Sequence, residues 1–254
     1  LAAQPRTADG GMAGPGSRSA AGMARIREVL QAPAGATGAV GAAAGPPSAA
    51  EVLAAPADPA DAGSRHPAIP PSALTVLGNE AARCTRCRLH AERRTVVFGE
   101  GHPQARLVVV GEAPGQEEDR TGRPFVGQAG KLLNLLLMTA GFPRDQVYIC
   151  NTLKCRPPQN RNPLPDELAA CSTFLKGQLA AIAPKVLLAV GKFAAQTLAG
   201  SEESISRLRG RIFTYEGIPL IVSFHPAFLL RSPQWTRTAW EDFQLARKVL
   251  DEQA

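Results

Sequence analysis

Short apolar runs alternate with longer amphipathic segments through the second half of the chain. Four of these runs, at residues 107–110, 146–150, 185–190 and 220–224, have the length and β-branched content of buried strands. The segments between and after them predict helices at about 127–140, 165–182, 191–199 and 235–252. This alternation predicts an α/β fold of three layers, αβα, with a central four-stranded parallel sheet covered on both faces.

Polar side chains stand at the predicted carboxyl ends of these strands. Glu112 follows the first strand, Asn151 the second and His225 the fourth. Ligands of parallel α/β sheets bind at the edge where the strands end. We therefore expect the three side chains to share one site.

The segment 111–130, GEAPGQEEDRTGRPFVGQAG, connects the first strand to a helix. Its glycines allow the backbone to approach a ligand closely, and it concentrates carboxylates that repel one another. By composition alone the segment is either a ligand-binding loop or a solvated acidic loop, and its place beside a strand end makes it a candidate for the site.

Composition divides the chain near residue 71. Residues 1–71 contain no Phe, Trp, Tyr, Lys or Cys and are dominated by Ala, Pro and Gly. Such a segment buries too little apolar surface to offset its ordering entropy, so we expect a disordered tail with a brief helix near 23–31. The tail is either a passive extension or a segment that binds a protein partner. Residues 72–254 are expected to form the folded domain.

The net positive charge of the chain lies in its predicted folded part. Arginines and acids balance in the tail, so the formal net charge of +6 falls on residues 72–254. A basic domain favours an anionic partner, most often nucleic acid. The chain shows no signal-peptide pattern and no apolar run long enough to span a membrane, and its Ala, Pro and Arg content suggests a GC-rich bacterial genome. We expect a cytoplasmic, nucleoid-associated protein.

Four of the five cysteines have the spacing of metal ligands. Cys84 and Cys87 form a C-x2-C pair among basic residues, while Cys155 and Cys171 are dispersed. Four thiolates can hold either zinc or a [4Fe–4S] cluster. Cys150, at the end of an apolar strand, is expected to be a small buried hydrophobe.

Two further segments carry candidate chemistry. NTLKCRPPQNRNP begins with Asn151, whose amide can read a nucleobase edge or cap a turn, and continues with a basic loop suited to phosphates that includes Lys154. HPAFLLR begins with His225 and places Leu229 and Leu230 in a predicted loop, either packed on the domain or entering a base stack beside Arg231.

These motifs together resemble the family 4 uracil-DNA glycosylases, the iron–sulfur branch of the uracil-DNA glycosylase superfamily. The resemblance rests on GEAPG followed by PFVG, on KCRPP and on HPA-x-LLR, and it covers about residues 77–250. It implies a [4Fe–4S] cluster rather than zinc, held by Cys84, Cys87, Cys155 and Cys171.

The resemblance also implies roles in the site. Phe125 would stack on an extruded uracil, Asn151 would hydrogen-bond its edge, and His225 would donate to O2 and stabilise the departing anion. The backbone of the loop that contains Gly111, Ala113 and Gly115 would enclose the base.

For two further roles, the resemblance leaves a choice between two residues. Either Glu112 or Glu118 would orient water or stabilise positive charge on the sugar. Either Leu229 or Leu230 would fill the gap left by the flipped nucleotide, with Arg231 on a phosphate.

The implied activity is hydrolysis of uracil from single- or double-stranded DNA by a monomeric enzyme, leaving an abasic site in base excision repair. One alternative is a covalent uracil-DNA-binding relative, but the stretch RPPQNRNPLPDE lacks the His that such proteins carry there. The other alternative is a non-catalytic DNA-binding module with iron–sulfur or zinc, which would not need Glu112, Phe125, Asn151 and His225.

Overall fold

A computed structural model describes residues 72–253 of the protein. The tail predicted for 1–71, with its brief helix, lies outside the described residues. The strands are β1 (Glu100–Gly101), β2 (Leu107–Gly111), β3 (Tyr148–Asn151), β4 (Val186–Val190), β5 (Ile212–Tyr215) and β6 (Ile218–Ser223). The α-helices are α1 (Ala73–Ala82), α2 (Gln116–Thr121), α3 (Gln128–Thr139), α4 (Pro165–Ile182), α5 (Lys192–Ala199), α6 (Ile205–Leu208), α7 (Pro226–Arg231) and α8 (Thr236–Asp251).

The strands form one sheet in the order β1-β3-β2-β4-β6-β5. Its four central strands, β3, β2, β4 and β6, are parallel, as predicted. The edge strands β1 and β5 were not predicted, and both run antiparallel to their neighbours. β1 has only two residues, and β5 alternates exposed with half-buried positions, so neither carries the apolar run of a central strand.

Helices cover both faces of this sheet. Side chains of α3 and α8, such as Leu132, Leu136 and Phe243, pack with β2, β4 and β6 residues into one buried cluster. Leu175 and Leu179 of α4 pack into a second cluster, together with Leu198 of α5. The predicted three-layer αβα architecture is confirmed.

The predicted boundaries of the helices lie close to the observed ones, because Pro and Gly residues mark where the helices begin and end. α4 begins at Pro165, where the Glu167 carboxylate accepts the Leu164 N–H at 2.9 Å. α5 ends at Ala199 and is capped by Gly200, which has a positive φ of 60°. The structure adds α1, α2, α6 and α7, the last three of which are too short to show a helical period. Within 72–253, the helices lack the combination of length and hydrophobicity that crossing a membrane requires.

A third, smaller buried cluster lies beside the sheet. It joins Ala81 of α1 and Leu89 to Leu153, in the turn after β3, and to Phe174 of α4. Cys155 and Cys171 belong to it, and Cys84 and Cys87 pack against it. The cysteine-bearing segments are thus held together by apolar packing.

Candidate active site

A pocket of about 400 Å³ opens at the carboxyl ends of the central strands. Glu112, Phe125, Asn151 and His225 all line it, so the structure brings together the strand-end residues that the sequence predicts to share a site. Its volume falls in the range of small-molecule pockets. Other predicted site residues that line it are Ala113, Gly115, Glu118 and Arg231.

Gly111 is buried and does not line the pocket itself, but it lies directly against Asn151 and Phe125, which do. It ends β2 and pairs with Asn151 at the end of β3. A Cβ at Gly111 would lie 2.3 Å from Oδ1 of Asn151 and 2.6 Å from Cζ of Phe125. Only glycine allows the amide and the ring to approach the strand this closely.

The Asn151 amide is buried but not satisfied. The residue is 1% exposed, and its Oδ1 has no hydrogen-bond partner among the residues that the structure describes. Buried polar atoms are normally paired, so an orphaned acceptor on a residue that lines the pocket points to a ligand that donates. Its backbone carbonyl, by contrast, accepts from Lys154 Nζ at 2.7 Å.

Phe125 is held in an unusual backbone conformation, with φ of 52°. Its ring stacks against His225, with the ring centroids 5.7 Å apart and an interplanar angle of 30°. Arg144 donates to the carbonyls of Pro124 at 2.7 Å and of Phe125 at 3.4 Å. A Cβ at Gly130 would collide with the Phe125 carbonyl oxygen, so a glycine is also required there. The surrounding contacts therefore hold the strained Phe125 backbone.

Glu118 organises this loop. Its carboxylate accepts three backbone N–H groups: Val126 at 2.9 Å, Gly127 at 3.0 Å and Gly115 at 3.2 Å. Gly127 is the N-cap of α3, where a carboxylate also interacts favourably with the helix dipole. The carboxylate thus ties both ends of the segment that carries Phe125.

Glu112 has a different environment. Its carboxylate lines the pocket and has no hydrogen-bond partner within residues 72–253. Its backbone carbonyl is fixed by Thr152 Oγ1 at 2.6 Å and by the Leu153 N–H at 3.0 Å. Burial raises the pKa of the Glu112 carboxyl. The structure therefore separates the two acids that the sequence could not distinguish: backbone N–H groups occupy the Glu118 carboxylate, whereas the Glu112 carboxylate accepts no hydrogen bond from the described residues.

His225 is presented to the pocket as a neutral imidazole. Its Nδ1 accepts the Ala227 N–H at 3.1 Å, which places the ring proton of the neutral form on Nε2. Burial, with a smaller contribution from the charge of Arg231, lowers the pKa of His225 to about 4, and Glu118 opposes both effects. Gly191, with φ of 99°, lies against the ring, and a Cβ there would come within 3.1 Å of it.

The segment after His225 corrects two predictions. It is a helix, α7, rather than a loop, and Leu229 is 0% exposed in the core. Leu229 therefore cannot enter a base stack in this structure, because its side chain is committed to packing. Leu230 is only partly buried and packs against the core cluster, whereas Arg231 is exposed and lines the pocket.

The basic loop after β3 differs from expectation as well. Lys154 is 1% exposed, so it cannot bind a phosphate. Arg161 lines the pocket, but Glu167 holds its guanidinium through two hydrogen bonds of 2.9 and 2.6 Å.

The four cysteines predicted as ligands line one cavity beside the third cluster. Arg93 donates to Cys155 Sγ at 3.4 Å, and the Lys154 N–H donates to Cys171 Sγ at 3.3 Å. Burial raises the pKa of both thiols, that of Cys171 to about 11. Cys150 lies apart from this set and is fully buried in the sheet, as predicted.

Sequence reasoning missed Arg144 as a support of the site. Arg144 lies in a short turn before β3, where an arginine looks like ordinary surface. Its contacts with Glu100, Asn134 and the 124–125 carbonyls depend on three segments that meet only in the fold.

Comparison with known proteins supports one family. The model of the uracil DNA glycosylase superfamily matches residues 98–244. The type-4 uracil-DNA glycosylase of Thermotoga maritima is 45% identical over 181 residues, which cover 70% of this chain and 94% of that protein. The type-4 enzymes of Archaeoglobus fulgidus and Sulfurisphaera tokodaii are 42% and 40% identical, over 67% and 69% of this chain and 90% and 84% of theirs.

Proposed function

Since the chain belongs to the uracil DNA glycosylase superfamily, and within it to the type-4 enzymes, we propose that its strand-end pocket holds a uracil swung out of DNA. The protein is a uracil-DNA glycosylase that removes uracil in DNA repair. The observation that carries the assignment of the pocket is the orphaned Asn151 Oδ1.

Asn151 reads the base. Uracil presents an N3–H donor beside the O4 acceptor, which matches the carbonyl and amino groups of one amide. Cytosine presents a lone pair at N3 and an amino group at C4, so the same amide would face two mismatched groups. Leaving a buried polar group unpaired costs about 1–3 kcal/mol, and this penalty underlies the discrimination.

Phe125 supports the base from one side. Its ring lies against Gly111 and Asn151, and the Arg144 and Glu118 contacts fix its backbone. A base that reaches the Asn151 amide therefore meets an aromatic surface already in place. The backbone of the loop through Ala113 and Gly115 closes the pocket beside it.

His225 stabilises the leaving group. Its Nε2–H would act as a neutral donor and hydrogen-bond uracil O2, where negative charge gathers as the N-glycosidic bond breaks. A fixed donor aimed at developing charge lowers the barrier without reorganisation. The low pKa of His225 keeps the imidazole neutral at pH 7, so the ring keeps the single proton that it uses.

Glu112 acts on the sugar side. Its unpaired carboxylate can orient the attacking water or stabilise positive charge on the sugar, whereas the carboxylate of Glu118 is occupied by three N–H groups. A raised pKa makes Glu112 a better proton acceptor for the water. We therefore assign the hydrolytic role to Glu112 and a supporting role to Glu118.

The pocket mouth contacts DNA. Leu230 is the remaining candidate for the gap left by the flipped nucleotide, and exposed Arg231 is placed to meet a phosphate. Action on both single- and double-stranded DNA, a monomeric state and a protein partner for residues 1–71 stay predictions, as does a nucleoid-associated cytoplasmic location. We infer that residues 72–254 form the catalytic domain.

Cys84, Cys87, Cys155 and Cys171 would hold a [4Fe–4S] cluster. The donor set fits, since four thiols line one cavity with N–H donors directed at two of the sulfurs. Zinc, the alternative occupant, would use the same four thiols. When bound, the cluster would link the 84–87 segment to the turn after β3 and to α4.

The experiment compares two matched variants. Glu112→Gln and Glu118→Gln are assayed on a uracil-containing oligonucleotide, with alkali to cleave the abasic product. We expect Glu112→Gln to lower the single-turnover rate by about 100-fold or more while unfolding as the wild type does. Glu118→Gln should lower the unfolding temperature as well as the rate, because it weakens three backbone contacts.

The opposite pattern would reverse the assignment of the two acids. Absence of cleavage by the wild-type protein with iron bound would overturn the assignment of the pocket.

A further inference from the structure

We propose that Lys154 is a positioning residue, which fixes the base-reading Asn151 from the interior side through a buried ammonium group. The proposal rests on the proposed function of Asn151. It adds a residue of the protein interior to those that determine uracil recognition.

The ammonium of Lys154 lies entirely inside the protein. Its Nζ donates to the Asn151 carbonyl at 2.7 Å and to Gln178 Oε1 at 2.6 Å. The Phe98 ring centroid lies 5.8 Å from it. No carboxylate in the described part of the chain forms an ion pair with it.

Burying an ammonium group costs several kcal/mol, and proteins seldom retain one without a use. A Met or Leu at this position would pack without that cost. The retained charge therefore needs a purpose, and its shortest contacts are with Gln178 and with the main chain of the residue that faces the pocket.

Lys154 ends a turn that is bonded to the neighbouring strand end. Its side chain folds back onto the carbonyl of the residue three positions earlier. Between these residues, Thr152 N–H donates to the Gly111 carbonyl at 2.9 Å and Leu153 N–H to the Glu112 carbonyl at 3.0 Å. The turn thus sets Asn151 relative to Gly111 and Glu112, and the ammonium bond closes it.

Gln178 holds the ammonium in place. It is 0% exposed, and its Nε2 donates to the Phe98 carbonyl at 2.8 Å and to the Tyr148 hydroxyl at 3.0 Å. These bonds turn its Oε1 towards Lys154. Without the ammonium, both Gln178 Oε1 and the Asn151 carbonyl would lose a donor in the interior.

The cysteine set also contacts Lys154, through the backbone of that residue. The Lys154 N–H donates to Cys171 Sγ, and Cys155 follows in the chain. With the proposed cluster bound, its thiolate ligands would supply the negative charge that the lysine otherwise lacks nearby. One residue therefore contacts both the cysteine set and the base reader.

The test is a double-mutant cycle that combines Lys154→Met with Asn151→Ala in the full-length, iron-loaded protein. We expect Lys154→Met alone to lower kcat/KM on a uracil oligonucleotide by about 10- to 100-fold, since a misplacement near 1 Å can cost about 100-fold. In the Asn151→Ala background, the same substitution should change kcat/KM by less than about threefold, because the group through which it acts is gone. Lys176→Met, which removes the exposed α4 lysine near Glu216, is the control and should match the wild type.

A second readout does not depend on turnover. Binding of free uracil, followed by calorimetry, should weaken in Lys154→Met by a factor similar to its loss in kcat/KM. Iron content is measured in every variant to separate this effect from cluster loss. If Lys154→Met does not fold, Lys154→Gln, which keeps an N–H donor, takes its place in the same cycle.

Equal losses in both backgrounds, or uracil binding as tight as in the wild type, would overturn the positioning role. Full activity of Asn151→Ala would instead overturn the proposed function of Asn151, so the two failures can be told apart.

Discussion

A single methyl group at Gly111 is expected to disable the pocket without disturbing the backbone. Gly111 lies in a regular part of β2, and alanine is compatible with strand conformation. The added Cβ, however, would lie 2.3 Å from Asn151 Oδ1 and 2.6 Å from Phe125 Cζ. The substitution therefore acts on the two groups that we propose to read and stack the base.

The magnitude follows from the distances. Cβ atoms are essentially never found within 3.0 Å of such neighbours, so the amide must move by about 0.7 Å or more and the ring by somewhat less. Displacements near 1 Å in a catalytic site can cost about 100-fold, which we expect for kcat/KM of Gly111→Ala. Overpacking should also cost about 1–3 kcal/mol of stability.

The assay measures single-turnover uracil release and, separately, thermal unfolding. Gly78→Ala is the matched control, since its Cβ would sit 3.5 Å from Phe98 in an ordinary contact within α1. That variant should keep full activity and be as stable as the wild type or more so, because alanine favours a helix. Wild-type activity of Gly111→Ala would refute the geometry that we assign to the pocket.

Three further predictions test other parts of the site. Asn151→Ala and His225→Ala should each lower the rate by more than about tenfold with folding intact, as measured by kinetics and circular dichroism. His225 has a folded pKa of about 4, below that of the unfolded chain, so the unfolded state binds its proton first as pH falls. The wild type should therefore lose more stability to urea between pH 6.5 and pH 4 than His225→Gln does, and an equal loss would contradict the buried neutral imidazole. Arg144→Leu removes the donor to the Phe125 carbonyl. It should cost more free energy of uracil binding, measured by calorimetry, than free energy of unfolding, measured in urea.

Much of the fold is readable from the sequence because the central strands are buried on both faces. All five residues of β2 and of β4 are buried, so they appear as continuous apolar runs. β1 and β5 are not predicted from the sequence, because each is an edge strand that pairs with only one longer neighbour. Their existence depends on tertiary contact rather than on local pattern.

Some features of the site can likewise be predicted from the sequence, and others cannot. Topology alone places Glu112, Asn151 and His225 at one edge. The distinction between Glu112 and Glu118 depends on which backbone N–H groups come near, and these belong to residues up to nine positions away. The burial of Lys154 could not be predicted either, because a lysine among prolines and arginines is typical of a solvent-exposed loop.

The orphaned acceptor of Asn151 has a consequence for the end of the reaction cycle. The N3–H that we propose it recognises is unchanged when the glycosidic bond is cut, so free uracil would still satisfy it. The departing base leaves this atom unpaired again, which makes escape of the product energetically uphill. If Asn151 has the role proposed for it, the same amide that selects the substrate should also make free uracil a competitive inhibitor, and tighter selection at this atom would slow turnover.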